Sequence, residues 1–109
     1  MEDHLFILDA NGRPRATQNM EEFGRFMAMT DRHIGDTSGV DPRGEQWRVS
    51  TVFLAVNHQW GDGPPILWET MIFGGEHAGY QERYASREEA LAGHALAVSM
   101  CENGKGKQS

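Results

Sequence analysis

Residues 47–75 constrain the fold more than any other part of the chain. Two apolar runs rich in β-branched residues, 47–58 and 66–73, flank a connection rich in glycine and proline. β-branched and aromatic residues favour strands, whereas glycine and proline interrupt them. The segment therefore predicts an antiparallel pair of strands. The connection, residues 59–65, is longer than a two-residue hairpin turn, so we expect a loop at its tip.

Apolar side chains occur on both faces of the first predicted strand. Trp47 and Phe53 fall on one face, and Val52 and Leu54 fall on the other. A strand that is apolar on both faces is typical of a sheet that is covered on each side. The aromatic surface exceeds what two short helices would cover. We therefore expect a homodimer through the second, aromatic face of the sheet.

A capping box predicts the first helix. Asn19 is followed three residues later by Glu22, a pair that caps helix N-termini. The helix is expected over residues 20–32, with Gly35 as its C-terminal cap. Residues 36–46 are polar and rich in turn-forming residues, which predicts an exposed loop.

Shorter elements are predicted toward both ends of the chain. Residues 4–9 and 13–16 predict two arms around a tight turn at Asn11-Gly12. Residues 80–85 predict a further, exposed strand. Ser86 and the glutamates after it form a second capping box that opens a helix. The expected buried stripe of this helix consists of Leu91, Ala95 and Val98.

Together these elements predict an α+β domain. We expect an antiparallel meander of three or four strands, with two helices packed mainly on one face. A chain of 109 residues is expected to form one domain, here residues 1–103. Residues 104–109 are expected to form a disordered tail.

Composition argues against several classes of function. The formal net charge of −6 disfavours direct binding of nucleic acid, which needs a basic face for phosphates. The single cysteine, Cys101, cannot form an intramolecular disulfide or a multi-cysteine zinc site. No apolar run is long enough to span a bilayer, and the N-terminus lacks the pattern of a signal peptide. We therefore expect a cytoplasmic protein with no membrane contact, metal or cofactor.

Glu69 is the polar residue that fits its predicted strand least. Burying a carboxylate alone costs several kcal/mol, so Glu69 needs an ion pair, hydrogen bonds or an edge position. Arg83 and Arg48 on neighbouring strands are the expected partners. A structural ion pair and a ligand contact both remain open for this residue. Trp68 precedes it in the same strand and is a further candidate for ligand binding.

Three further candidates lie in loops and turns. His58 follows the central strand beside Trp60, so an imidazole and an indole could together recognise a ligand. The alternatives are a histidine that caps loop carbonyls and an indole that packs back over the hairpin. His77 ends a Gly-Gly-Glu-His segment whose amides could face an anion, although it lacks the Lys and Ser/Thr of a phosphate loop and an ordinary turn is the favoured interpretation. The candidate binding residues are His58, Trp60, Trp68, Glu69, His77 and Arg83.

His94 is expected to face the sheet from the second helix as a core residue. If it approached His58 and Glu69, a hydrolase-type site or a His/His/carboxylate metal site would become possible. The sequence contains no nucleophile elbow, phosphate loop or dinucleotide fingerprint. No catalytic residue is therefore assigned.

Three segments together resemble a group of short, uncharacterised proteins encoded by bacteriophages and prophages. These are FILDANGRP, VSTVFLAVNHQWGDGPPILWETMIFGG and RYASREEALAGHALAV. The resemblance covers nearly the whole chain, and the central hairpin is its most specific part. It implies a phage accessory protein in the bacterial cytoplasm, and it carries over no catalytic residues.

Small size, acidity, the lack of catalytic motifs and the surplus of aromatic residues indicate a non-enzymatic binding protein. Such a protein would engage a host protein or sequester a small signalling ligand, as an antagonist of host defence does. One alternative is a small hydrolase that uses His58, Glu69 and His94. The other is a virion or assembly component.

Overall fold

An antiparallel four-stranded sheet forms the centre of the fold. The computed structural model describes residues 4–59 and 61–103. Its elements are β1 (Phe6–Leu8), β2 (Pro14–Ala16), α1 (Met20–Met29), β3 (His33–Val40), β4 (Gln46–Phe53), β5 (Trp68–Phe73), β6 (Gln81–Tyr84) and α2 (Arg87–Asn103). The four strands of the sheet follow in the order β3-β4-β5-β6, and β1 and β2 form a separate hairpin. The expected α+β meander with two helices is confirmed, whereas the predicted tail lies outside the described residues.

The prediction of a loop over residues 36–46 is wrong for residues 36–40, which belong to the edge strand β3, and the connection to β4 is limited to residues 41–45. This strand pairs with β4 from His33 to Val40. Helix α1 ends earlier than predicted, at Met29, because Thr30 is already extended and caps it through its N–H. An edge strand has one neighbour and exposed side chains, so it tolerates the polar composition that resembled a loop.

Two glycines in β3 make room for side chains that lie across the strand. A Cβ atom at Gly35 would lie 2.7 Å from ring atoms of His94, and a Cβ atom at Gly39 would lie 2.5 Å from the Trp47 ring. Any larger residue would displace these rings. Gly35 is therefore a packing residue of the sheet and not the predicted cap of α1.

The side chains of β4 and β5 separate into a covered and an open face. Helix α2 packs against all four strands of the sheet on one side. On that side lie two buried clusters, which include Phe53 and Trp68 in one and Trp47 and Ile72 in the other. The two tryptophans therefore lie on the covered face. The predicted surplus of uncovered aromatic rings is not found among the described residues, because the alternation of β4 and β5 places Trp47, Phe53 and Trp68 under the helices and leaves only Phe73 of these strands on the other face.

Helix α2 begins as predicted, but its buried stripe differs from the prediction. The Glu89 N–H donates to Ser86 Oγ over 3.1 Å, which confirms the N-terminal cap. The fully buried residues of the helix are Ala90, Ala97 and Cys101, whereas Leu91 is 38% exposed. Small residues let the helix backbone approach the sheet closely, so packing favoured this stripe over the larger side chains.

The N-terminal hairpin packs on the segment that follows β4. The Phe6 N–H donates to the Ala55 carbonyl over 2.8 Å, and Leu5 forms an antiparallel bridge with Val56. Helix α1 closes this end of the core through Phe26, whose ring meets Phe53 edge-on at 6.0 Å between centroids. The hairpin turn thereby comes to lie beside the N-terminus of α2.

We expect Gly35→Ala to lower the free energy of unfolding by about 1 to 3 kcal/mol, because its Cβ would overlap the His94 ring. Gly24→Ala is the matched control. A Cβ at Gly24 meets nothing within 4 Å, and Gly24 lies inside α1, so this change is expected to stabilise by about 0.5 to 1 kcal/mol. Urea unfolding of both variants checks the prediction. Equal effects of the two changes would contradict the assigned packing.

Candidate functional site

The face of the sheet opposite α2 is covered by none of the described residues. We call it the open face. Successive side chains in a strand point to opposite faces, so the register of the four strands defines its members. They are His33, Asp36, Ser38 and Val40 of β3, Gln46, Arg48, Ser50 and Val52 of β4, Glu69, Met71 and Phe73 of β5, and Gln81 and Arg83 of β6.

Glu69 is held on the open face by two donors from β6. Arg83 Nε donates to Glu69 Oε2 over 2.9 Å, and Gln81 Nε2 donates to the same oxygen. The Glu69 residue is 9% exposed, so these contacts compensate the burial of its charge. The predicted partnership of Glu69 with Arg83 is confirmed as an ion pair.

Arg48 forms a different ion pair from the one considered in the sequence. Its Nε and Nη2 atoms each donate to an oxygen of Asp36 over 2.9 Å, in the bidentate geometry typical of guanidinium–carboxylate pairs. The hydrogen bond from Arg48 lowers the pKa of the Asp36 carboxyl. Arg48 therefore pairs with Asp36 of β3, and Glu69 of β5 pairs with Arg83 of β6.

Exposed apolar side chains also lie on the open face. Phe73 is 46% exposed and Val40 is 60% exposed. Together with Ser38 and Arg48 they line a shallow groove of about 590 Å³ near the ends of β3, β4 and β5. An aromatic residue next to an arginine is the composition typical of the centre of a protein interface.

His94 lies on the covered face, where it joins a hydrogen-bonded chain of threonines. His94 Nδ1 lies 2.7 Å from Thr51 Oγ1, and His94 Nε2 lies 2.9 Å from Thr37 Oγ1. Thr51 Oγ1 in turn lies 2.6 Å from Thr70 Oγ1. Both ring nitrogens are thus satisfied, as expected of a core histidine.

The hydrolase and metal alternatives required His58, Glu69 and His94 to converge, and they do not. Glu69 lies on the open face and His94 on the covered face of the same sheet. His58 is in the loop after β4, where its Nδ1 lies 2.8 Å from the Val56 carbonyl oxygen. This contact is the loop-capping role considered for His58. Among the described residues, no His, Cys, Asp and Glu side chains are grouped to hold a metal ion.

His77 lies near a buried polar cluster that sequence reasoning did not identify. Asp41, Trp47 and Cys101 line the same narrow void, and each is at most 6% exposed. His77 Nε2, Asp41 Oδ2 and Trp47 Nε1 are buried without a hydrogen-bond partner among the described residues. Burial raises the pKa of the Cys101 thiol, which disfavours the reactive thiolate.

A second cavity, of about 540 Å³, opens where the β1–β2 turn meets the start of α2. Its walls are residues 11–14 of the turn, residues 85–88 of the β6–α2 junction, and Trp68. The Trp68 residue is 2% exposed, and its Nε1 has no hydrogen-bond partner among the described residues. Trp68 is thus the one predicted candidate that lines this cavity, and Trp60 lies outside the described residues.

The cavity depends on contacts that no single stretch of sequence contains. Asp9 organises the turn, because its Oδ1 accepts from the N–H groups of Asn11 and Arg13 over 2.8 and 2.9 Å. These hydrogen bonds, chiefly that of Arg13, lower the pKa of Asp9. Sequence reasoning identified the turn and the helix cap separately. It did not bring them together, and so it overlooked the arginines beside them.

Comparison with known proteins gives no match, whether to a family model, to a curated protein or to a solved structure. The resemblance to short phage and prophage proteins therefore stays a prediction. None of the described helices is long and apolar enough to cross a membrane.

We expect acid to destabilise the protein through His94. Burial lowers the pKa of His94 below 6.5, and Asp36 opposes this shift only in part. The unfolded chain then binds the proton more readily, so this contribution is complete above pH 6.5 and is lost as the pH falls toward the folded-state pKa. An NMR titration of the His94 ring checks the prediction. A pKa at or above the ordinary histidine value would contradict it.

Arg83→Gln is expected to destabilise the fold by about 1 to 2 kcal/mol, since it removes the charged partner of a buried carboxylate. The loss is smaller than for a fully buried pair because the Arg83 side chain is 44% exposed. Arg43→Gln is the control, because Arg43 and Glu76 are 3.9 Å apart and Arg43 is 65% exposed. Urea unfolding should distinguish the two, and indistinguishable midpoints would contradict the prediction.

Proposed function

We propose that this protein acts by non-enzymatic binding and sequesters a small signalling ligand in the cavity beside Trp68. In this proposal it is a phage accessory protein of the bacterial cytoplasm and antagonises host defence. It works as a homodimer through the open face.

The cavity is the observation that carries the binding function. Its volume of about 540 Å³ lies in the range of sites for small molecules. Its wall combines the buried indole of Trp68 with polar groups from a turn and a helix N-terminus. Small-molecule sites characteristically have such a mixture of apolar surface and a few polar groups. The separation of His58, Glu69 and His94 supports binding over catalysis.

The charge balance of the open face supports a second copy of the chain as its partner. The whole protein has a formal charge of −6, so two copies repel each other in general. On the open face, however, Asp36 pairs with Arg48 and Glu69 pairs with Arg83, so the charges cancel. The apolar centre at Phe73 can therefore meet its own symmetry mate without repulsion between like charges.

Phe73→Glu is expected to convert the dimer to a monomer, because it places a carboxylate at the centre of the interface on each copy. Leu96→Glu is the matched control, since Leu96 is also exposed, at 57%, but lies on α2. Sedimentation equilibrium over a range of concentrations measures both variants. A wild-type protein that stays monomeric at high concentration, or a dimer that survives the Phe73 change, would contradict the proposed interface.

Mass spectrometry of small molecules extracted from the protein, purified from phage-infected cells, tests sequestration. We expect one compound at about one copy per protomer. A variant with the cavity blocked, Asn11→Trp, should lose this compound and keep its native circular dichroism, because Asn11 is exposed, lines the cavity and does not need the positive φ of Gly12. Purification with a stoichiometric host protein and no small molecule would instead support a protein antagonist and would contradict sequestration.

A further inference from the structure

We propose that the cavity between the β1–β2 turn and α2 binds a small molecule through a phosphate group. This inference rests on the proposed function and names the chemical class of its ligand. Arginines without ion pairs, helix amides and a buried indole N–H meet at this one place. The following observations carry the inference.

Most arginines of this acidic protein have partners, but two of those without ion pairs in the described part of the chain line the cavity. Five of the eight have partners: the side chains of Arg15, Arg43, Arg48 and Arg83 form ion pairs, and Arg32 donates to a carbonyl. Arg13, Arg25 and Arg87 form no ion pair among the described residues. Two of these three, Arg13 and Arg87, line the cavity from opposite sides. Guanidinium groups match the geometry of phosphate oxygens and form bidentate hydrogen bonds with them.

The N-terminus of α2 contributes a second source of positive potential. The first turn of a helix has N–H groups without intrahelical acceptors. In α2, Ser86 Oγ accepts only the N–H of Glu89, so the amides of Arg87 and Glu88 are available beside the cavity. The helix extends from Arg87 to Asn103, and aligned peptide dipoles over such a length favour an anion at its start.

Trp68 is the independent observation that indicates a ligand. The indole is almost completely buried, it lines the cavity, and its N–H donor has no acceptor among the described residues. A buried donor without a partner is costly, so such groups usually mark a missing hydrogen-bond acceptor. A phosphate oxygen would supply that acceptor once a small shift of the indole brings its N–H to the cavity, because the ring is only 2% exposed in this structure.

Two carboxylates stand close enough to oppose an anion. Glu88 lines the cavity, and Asp9 lies behind Arg13 in the turn. Asp9 uses Oδ1 to accept two backbone N–H groups, which holds the turn rigid and orients Arg13. Arg13 and Arg87 balance the charges of Glu88 and Asp9, so the helix dipole and the free amides of α2 supply the remaining positive potential for an anion.

Titration of the full-length protein with inorganic phosphate, followed by two-dimensional proton–nitrogen NMR, tests the inference. Sodium chloride at matched ionic strength removes general salt effects. We expect shifts in the amides of residues 11–14 and 86–88 and in the indole N–H of Trp68. Trp47 is the internal control, because its Nε1 is also buried without a partner among the described residues but Trp47 lines the narrow void beside Asp41 and Cys101. Shifts of both indoles alike, or of neither, would overturn the inference.

Arginine variants extend the test to affinity. Arg13→Gln and Arg87→Gln should each weaken the binding of pyrophosphate about tenfold, the loss of one charge-assisted contact. Arg25→Gln changes the net charge equally but lies in α1 away from the cavity, so it should leave affinity nearly unchanged. Equal weakening by all three variants would show general electrostatic attraction and would overturn the assigned site.

The two proposals fail in different ways. If the protein from infected cells carries a compound without a phosphate group, sequestration stands and the phosphate inference fails. If phosphate titration succeeds and the purified protein carries no small molecule, the site is real and sequestration is wrong. Phe73→Glu should leave phosphate binding unchanged, because Phe73 does not line this cavity.

Discussion

The contact between His94 and the threonines of the sheet determines how the rest of the molecule is arranged. A buried imidazole needs partners for both nitrogens, and in the observed rotation of α2 Thr51 and Thr37 supply them. That rotation turns small residues of the helix toward the strands and requires a glycine at position 35. The hydrogen bonds of His94 therefore fix which side of α2 faces the sheet.

A single helix lying across four strands can cover only one face of the sheet. The protein accommodates the uncovered face by pairing its charges within the face, through Arg48 with Asp36 and Arg83 with Glu69. The result is a surface that is stable in water and also neutral enough to be buried. This combination permits self-association in a chain whose overall charge opposes it. The open face and the cavity lie in different parts of the fold, so the proposed dimer interface and the proposed ligand site do not overlap.

The candidate residues taken from the sequence are distributed among separate environments. Glu69 and Arg83 form an ion pair on the open face, His58 caps a loop carbonyl, and His77 adjoins a buried cluster around Asp41. Of the candidates that the structure describes, Trp68 is the one that lines the cavity beside α2. Unusual residue types in the sequence were thus mostly explained by local structural needs. The arginines that line the cavity are ordinary in sequence, and only their lack of partners distinguishes them.

Local patterns were enough to predict the central strand pair, both helix caps and the α+β class, because these depend on β-propensity, capping and turn chemistry within a few residues. The partnership of Glu69 with Arg83 was also predictable, since a buried carboxylate in a strand requires a cation on its neighbour. Strand β3, the rotation of α2 and the open face were decided by tertiary structure. A polar edge strand resembles a loop until its partner is known, and the buried side of a helix of small residues depends on what it packs against. The cavity joins segments more than fifty residues apart, so it exists only in the folded chain.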